Sequence, residues 1–180
     1  AEARRATVIK DFLTGILGEA RPDKAQGREV TVMEAVDSAA ARIDRDQPFR
    51  DDPLTLAHVL HAIGETYQSL DAYARAVPLF ERALRLKRSA PGDNQETVLI
   101  TLNKLSGCQA QTGDLKTAIE TQQEVVALSV KLHGKEHDET SARINNLGNM
   151  YADSGELDKA EPLLRESLAI DRRILGNDHE

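Results

Sequence analysis

The five histidines and the single cysteine are the residues that could bind a metal ion or act as nucleophiles. His133 and His137 stand four residues apart, a spacing at which two imidazoles on one helix face can bind zinc. Gly134 lies between them, and the sequence nearby offers no evident third ligand. We therefore assign the pair to a polar joint, and the sequence predicts no metal site and no cofactor.

Nucleophilic chemistry has equally little support in the sequence. Cys108 lies beside the apolar stripe of a predicted helix, where a cysteine is more often a small buried hydrophobe than a reactive thiolate. His58 and His61 could be ligands, but a solvated surface suits them better. No phosphate-binding loop, dinucleotide fingerprint or nucleophile elbow is present. We expect no catalytic residue and no enzymatic activity.

The composition excludes several other classes of function. The chain of 180 residues carries a net charge of −7, and its basic residues do not cluster with aromatics, so nucleic-acid binding is not expected. No apolar run reaches the roughly 18 residues of a membrane span. An aromatic content of 3% suits aliphatic packing of helix on helix. These features are those of a soluble α-helical domain.

Internal repetition is the dominant signal in the sequence. Gly92, Gly134 and Gly176 are 42 residues apart. Four further positions repeat at the same spacing and carry a small or apolar residue in every copy. They are Leu60, Ile63, Ala76 and Leu84 in copy one, Leu102, Leu105, Ala118 and Val126 in copy two, and Ile144, Leu147, Ala160 and Leu168 in copy three. Such a period indicates stacked helical units of one kind.

Each copy of the repeat contains two amphipathic stretches, which we call helix A and helix B. Leu60, Ile63, Gly64 and Tyr67 follow the i, i+3, i+4, i+7 spacing of one helix face. The sequence predicts a turn after helix A at "SLD", "TGD" and "SGE" in successive copies. It predicts three hairpins over about residues 52–93, 94–135 and 136–180, in an array that we expect to be longer in the full protein.

Small residues are predicted where the two helices of a hairpin touch. Glycine in a helix costs about 1 kcal/mol relative to alanine, so a repeated glycine needs a packing reason. We expect the positions of Gly64, Ser106 and Gly148 on helix A to face the alanines at the start of helix B, Ala76, Ala118 and Ala160. Pro78 and Pro162 should make helix B begin late or kink.

These residues resemble the signature of the tetratricopeptide repeat. Copy one matches with Leu60, Ile63, Gly64, Tyr67, Ala76 and Phe80, and copy three with Ile144, Leu147, Gly148, Tyr151, Ala160 and Leu164. Copy two departs from the signature at Ser106, Gln109 and Gln122. The period of 42 and the joints Gly134 to His137 and Gly176 to His179 are similar to those of kinesin light chains. The resemblance implies an all-α fold, a right-handed α-α superhelix.

Residues 1–50 are predicted to form a cap of two helices. Thr31 and Glu34 make a capping-box pattern that begins the second helix. The first helix carries one apolar stripe, formed by Val8, Ile9, Phe12, Leu13, Ile16 and Leu17. We expect this stripe to cover the open end of the array, because end repeats need such caps. Arg4, Arg5 and Lys10 leave open a membrane-surface or partner-binding segment.

A second resemblance concerns the longer protein. Asp11–Leu13, Gly27–Thr31 and Ala41–Asp44, followed by the repeats, resemble the region after the kinase domain and membrane span of many bacterial serine/threonine kinases. The resemblance implies a regulatory arm on either side of a membrane, cytoplasmic or extracytoplasmic. A self-association module, with the chain forming a homo-oligomer, and a cargo adaptor like that of kinesin light chains are the alternatives.

The predicted binding surface is the concave face, which the resemblance assigns to helix A. Its residues lie off the packing stripe of helix A in each copy. Asparagine amides both donate and accept hydrogen bonds, which suits the backbone of an extended peptide or protein partner. The predicted surface comprises His58, His61, Glu65, Gln68, Asn103, Lys104, Gln111, Asn145, Asn146, Asn149 and Asp153.

Overall fold

The computed structural model describes residues 31–92 and 94–175, with Thr7, Thr14 and Gly15. The predicted first helix, with its apolar stripe and the nearby Arg4, Arg5 and Lys10, lies outside the continuously described ranges. Within them the chain is all-α, with seven helices and no strand. The helices are α1 (Val32–Asp46), α2 (Pro53–Ser69), α3 (Tyr73–Ser89), α4 (Gln95–Gln111), α5 (Leu115–His133), α6 (Asp138–Asp153) and α7 (Leu157–Leu175). The predicted fold class is confirmed.

The chain divides into two compact units, Ala1–Ala90 and Pro91–Glu180. In the first unit α1 packs on α2, and α2 pairs with α3. In the second unit α4 pairs with α5, α5 packs on α6, and α6 pairs with α7. The predicted boundary at residue 50 between cap and repeats stays a prediction.

Local sequence signals fix the starts of several helices. Thr31 and Glu34 form the predicted capping box, in which the Glu34 amide donates to Thr31 Oγ1 at 3.2 Å and the Thr31 amide to Glu34 Oε2 at 3.0 Å. At α2 the Asp52 carboxylate accepts from the Thr55 amide at 3.0 Å, and Pro53 occupies the first turn, where a missing amide proton costs nothing. Caps of this kind typically contribute about 1 kcal/mol each.

The turns between paired helices share one geometry. Asp71, Gly113 and Gly155 occupy the same repeat position, each with positive φ, at 55°, 85° and 84°. The residue after each donates its amide to the carbonyl five residues earlier, which satisfies the end of helix A. The turn of the first copy therefore spans Leu70 to Ala72, one residue later than the predicted "SLD". Aspartate tolerates this left-handed conformation better than most residues, which explains how the glycine is replaced.

The two internal prolines do not delay their helices. Helices α3 and α7 begin at Tyr73 and Leu157, five residues before Pro78 and Pro162. Of the two predicted outcomes, a late start does not occur, since each helix continues through its proline, and a kink at the proline stays a prediction. A proline in the second turn leaves only one carbonyl of the first turn without its usual amide donor.

The close helix crossing lies at the predicted glycines but against different residues. A Cβ built on Gly64 would lie 2.9 Å from the buried Phe80 ring, and one on Gly148 would lie 2.8 Å from Leu164. Both partners are one turn beyond the alanines predicted there, although the Ala160 carbonyl does lie 3.4 Å from the Gly148 position. The glycine thus admits a large side chain from helix B rather than matching a small one.

Candidate peptide-binding surface

The asparagine-rich part of the predicted surface lies on α6. One side of this helix is buried in the second unit through Ile144, Leu147 and Tyr151. On the opposite side Asn146 and Asn149 are exposed, and Asp153 is exposed at the helix end. Asn145 is half-buried at the edge of this stripe. The three asparagines thus follow the outer face of one helix.

The amides on α6 are not used to hold the fold together. Within residues 31–92 and 94–175, the side chains of Asn145, Asn146 and Asn149 make no hydrogen bond or ion pair. Asparagine is a poor helix former, since its amide competes with the backbone for hydrogen bonds. Three such residues in five positions therefore have no stabilising role in the described part of the chain, and their donors and acceptors are available to a ligand.

Helix α4 contributes the middle group of predicted residues. Asn103 and Lys104 are half-buried, and Gln111 is exposed at the end of the helix. Helices α4 and α6 both pack on α5. The predicted residues of α4 therefore lie in the same compact unit as the asparagines of α6. Asn103 and Asn145 are 42 residues apart and occupy the same repeat position.

The predicted residues on α2 belong to the first unit, and they are more buried and make more contacts within the fold than the asparagines of α6. The His61 ring packs edge-on against Phe80 with centroids 5.3 Å apart, and its side chain is only 13% exposed. Its Nε2 also lies 3.7 Å from Glu65 Oε2. His58 and Gln68 are half-buried. The role of these four residues in binding stays a prediction, as does the whole predicted surface.

Glu65 also faces a buried cation on the paired helix. Lys87 on α3 is buried, and this burial lowers its pKa to about 8, against the opposing charge of Glu65. Removing a lysine from water disfavours its charged form, and a nearby carboxylate only partly restores it. Glu65 therefore has an electrostatic partner within its own helix pair.

One exposed apolar residue was missed by the sequence reasoning. Ile100 on α4 is 42% exposed, and it occupies the repeat position of His58 in copy one and Ala142 in copy three. The 42-residue spacing was the signal that could have found it, because an equivalent position in copy one had already been assigned to the surface. An apolar side chain beside Asn103 and Lys104 adds a contact that amides cannot make.

Three other residues considered for chemistry, Cys108, His133 and His137, lie outside the predicted surface. Cys108 is fully buried, and burial raises the pKa of its thiol, so it behaves as a small core residue. His137 caps α6 by accepting the Glu139 amide on Nδ1 at 3.2 Å. His133 instead faces two carboxylates, those of Glu96 and Glu139. The sequence missed both glutamates as neighbours of His133.

No described helix has the length and apolar character needed to cross a membrane.

Comparison with known families finds a match to a model described as tetratricopeptide repeat, over residues 55–129 and again over residues 97–173. These two matches overlap and together span well over half of the chain. No catalytic family is indicated. Among curated proteins, no significant match to the sequence is found.

Several solved structures share the fold. A putative kinesin light chain of Podosopora anserina with nearly identical TPR-like repeats is 20% identical, with a TM-score of 0.68 over 98% of this chain and 91% of that chain. BtubC (BKLC) of P. vanneervenii is 18% identical, with a TM-score of 0.61 over 82% of this chain. The match spans 60% of the length of BtubC. MamA is 17% identical, with a TM-score of 0.55 over 79% of this chain and 76% of that chain. At these identities the likeness concerns the fold alone.

Proposed function

Because the chain belongs to the tetratricopeptide repeat family, we propose that it is a non-enzymatic protein–protein interaction module that binds an extended peptide or protein segment. The binding surface is the solvent-facing side of α4 and α6, the helices A that are predicted to line the concave face, with the asparagines of α6 at its centre. The observation that carries this proposal is the set of three exposed or half-buried asparagine amides without a hydrogen bond in the described residues.

The chemistry of this face suits a peptide backbone. Each amide side chain offers donors and an acceptor, the same groups that an extended chain presents along its length. Asn145 and Asn149 are one helical turn apart, so both can pair with one segment lying on α6. Ile100 and the aliphatic part of Lys104 supply apolar contact on α4. The face is neither strongly basic nor strongly acidic, which favours main-chain recognition over charge pairing.

The larger protein that we propose is a bacterial serine/threonine kinase, with this chain as its regulatory arm. The support is the resemblance of Asp11–Leu13, Gly27–Thr31 and Ala41–Asp44, which precede the repeats in the same order as in those kinases. In that setting the peptide-binding face would recruit a substrate or a regulator to the kinase. A cargo adaptor is the competing role for the same face and rests on the repeat type.

The test is a binding measurement on the double variant Asn145→Ala/Asn149→Ala. Peptides selected from a random phage-display library on the wild-type chain provide the ligand. Losing one hydrogen bond costs about 0.5–1.5 kcal/mol, so loss of two should weaken binding about tenfold or more. The melting temperature should hold or rise slightly, because alanine is the better helix former.

The matched control is Lys116→Ala/Glu120→Ala. These two residues are also exposed and four positions apart, but they lie on α5, a helix B. The control should bind the selected peptides as the wild type does. Equal affinity of the asparagine variant would move the binding site away from α6. A large loss of stability would instead show the asparagines to be structural.

Self-association is a second candidate function, favoured by the apolar face of α7. Val126 on α5 packs against a core cluster that includes Leu147 and Tyr151 of α6. Leu168, at the same repeat position on α7, is 50% exposed, and Leu157 on that helix is 64% exposed. Ala152, Leu164 and these leucines line a depression of about 500 Å³. A second copy of the chain that covered this face would bury its leucines.

Sedimentation velocity over a range of protein concentrations tests this second candidate. Association without any ligand, abolished by Leu168→Glu, would favour a clustering module. A monomer at all concentrations would exclude self-association and leave peptide binding as the remaining candidate function. The two candidates use different helices, so each variant tests one of them.

A further inference from the structure

Three potential metal ligands from three helices meet within the second unit. Glu96 lies in the first turn of α4, His133 is the last residue of α5, and Glu139 lies in the first turn of α6. One ligand atom from each lies within 4.8 Å of the others. His133 and Glu139 flank the joint between α5 and α6, whereas Glu96 comes from the start of α4, so the meeting point depends on how the chain packs α4 beside that joint.

Two of the three separations are close to the edge length of a tetrahedral coordination sphere, and the third lies within 4.8 Å. His133 Nε2 lies 3.5 Å from Glu96 Oε2 and 3.7 Å from Glu139 Oε2. Zinc binds imidazole nitrogen and carboxylate oxygen at about 2.0–2.2 Å, which puts neighbouring ligand atoms about 3.3–3.6 Å apart. An ion placed among these atoms would need only small side-chain movements. Half-exposed carboxylates leave one side open for an ion and its water ligand.

His133 Nε2 has a second, independent peculiarity. The atom is buried, and no described residue forms a hydrogen bond with it. A buried ring nitrogen without a partner loses its contact with water and gains nothing in return. At 3.5 Å and 3.7 Å, the oxygens of Glu96 and Glu139 are farther from this nitrogen than the usual distance of about 2.7–3.2 Å in an N–H···O hydrogen bond. A metal ion between them would supply the missing bond.

We propose that Glu96, His133 and Glu139 bind a divalent transition-metal ion, with Zn²⁺ as the best match. Imidazole favours zinc and its neighbours in the first transition row over magnesium and calcium, and carboxylate oxygens are common further ligands of zinc. Arg143 Nη2 lies 3.0 Å from the same Glu139 Oε2, so this oxygen would be shared between the guanidinium and the ion. The ion would link His133 and Glu139, on either side of the joint between α5 and α6, to Glu96 at the start of α4. The proposal does not depend on peptide binding.

Favourable interactions with helix dipoles are the competing account of these three residues. Carboxylates are stabilising in the first turn of a helix and a histidine in the last. That account explains each position separately, but it does not place one unpaired Nε2 atom beside two carboxylates. It also allows a protonated His133 to act as the bridging cation, with no metal ion.

Isothermal titration of the chelator-treated chain with ZnCl₂ separates the two accounts. One site of micromolar or tighter affinity is expected, and the melting temperature should rise by roughly 5 °C at zinc about 100-fold above Kd. Glu96→Gln and His133→Gln should each weaken zinc binding at least about tenfold. Glu96 is exposed, so its variant should fold even where the histidine variant does not.

His137→Gln is the matched control. Its ring packs on His133 with centroids 5.0 Å apart, but it lies outside the ligand set. The control should bind zinc as tightly as the wild type does. X-ray absorption of the zinc-loaded wild-type chain should show one imidazole in a coordination shell made only of nitrogen and oxygen. Absence of saturable binding up to about 1 mM zinc would overturn the proposal. Loss of binding in His137→Gln but not in Glu96→Gln would overturn it equally, in favour of the histidine pair.

Discussion

The second and third helix pairs place different chemistry at the same crossing point. In the third pair Gly148 on α6 faces Leu164 on α7, and in the second pair the corresponding residues are Ser106 and Gln122. The Ser106 hydroxyl donates to Gln122 Oε1 at 2.6 Å, and Gln122 Nε2 donates to the Arg143 carbonyl at 3.0 Å. Both polar side chains are buried. An apolar contact has been replaced by a hydrogen-bonded one.

Three residues further along helix A the division is reversed, because the hydrogen-bonded side chains there belong to copies one and three. Tyr67 in copy one donates to Asp37 Oδ1 at 2.7 Å, and Tyr151 in copy three accepts from Gln123 Nε2 at 2.7 Å. Copy two has Gln109 there, and its buried Oε1 has no hydrogen-bond partner among the described residues. Copy two therefore changes both partners together at the crossing, where Ser106 meets Gln122, but replaces the tyrosine with Gln109 without a new partner for its Oε1.

The largest expected effect comes from filling the glycine crossing of copy one. Gly64→Leu should cost about 3 kcal/mol or more, because the rigid, fully buried Phe80 ring cannot move aside. Gly148→Leu should cost less, about 1–3 kcal/mol, since Leu164 is half-buried and can change rotamer. Urea unfolding of both variants gives the two free energies. Equal costs would show that the two crossings are equally rigid.

Exchanging the polar pair of copy two should have an intermediate effect. Gln122→Leu alone should cost about 1–3 kcal/mol, since it removes two hydrogen bonds and sets a leucine against the Ser106 Cβ. Adding Ser106→Gly recreates the pair of copy three and should recover most of that loss. A double-mutant cycle by thermal unfolding measures the coupling. Additive effects would mean that the two side chains do not act as a unit.

The smallest expected effect is on how stability depends on pH through the hydrogen bond between Tyr67 and Asp37 in copy one. Hydrogen bonds from Tyr67 and Arg75 hold the pKa of the Asp37 carboxyl below its usual range. A lowered folded-state pKa stabilises the fold above the ordinary aspartate value, and that contribution is lost as pH falls through the folded value. Asp37 is partly exposed, so less than about 1 kcal/mol is at stake. Asp37→Asn should flatten the acid limb of the stability curve.

The alkaline limb tests the other partner of this bond. Burial and the Asp37 charge raise the pKa of Tyr67 to about 12, so its protonated form favours the folded state. That contribution should be lost between about pH 10 and pH 12 and be absent in Tyr67→Phe. Tyr151→Phe is the comparison on the acid side, because the partner of Tyr151 is the amide of Gln123, which, unlike the Asp37 carboxylate, takes up no proton as the pH falls. An acid limb altered by Tyr151→Phe would contradict this assignment.

Much of the fold was readable because the signals are local. The capping box at Thr31 and the crossing glycines at Gly64 and Gly148 appear where the pattern predicts them. The turn of copy one was misplaced by one residue, because Asp71 adopts a conformation that usually indicates glycine. The binding surface on α4 and α6 remains a prediction from repeat geometry and from the unusual run of asparagines.

The sequence by itself determined the all-α class, the period of 42 and the tetratricopeptide family, because helix periodicity and small crossing residues are encoded within a few turns. Tertiary structure alone decided which large side chain fills each glycine crossing and how Gln122 is satisfied in copy two. It also decided that His133 meets Glu96 and Glu139 rather than acting with His137. Those contacts join residues on different helices, and their geometry depends on the direction in which each joint sends the chain.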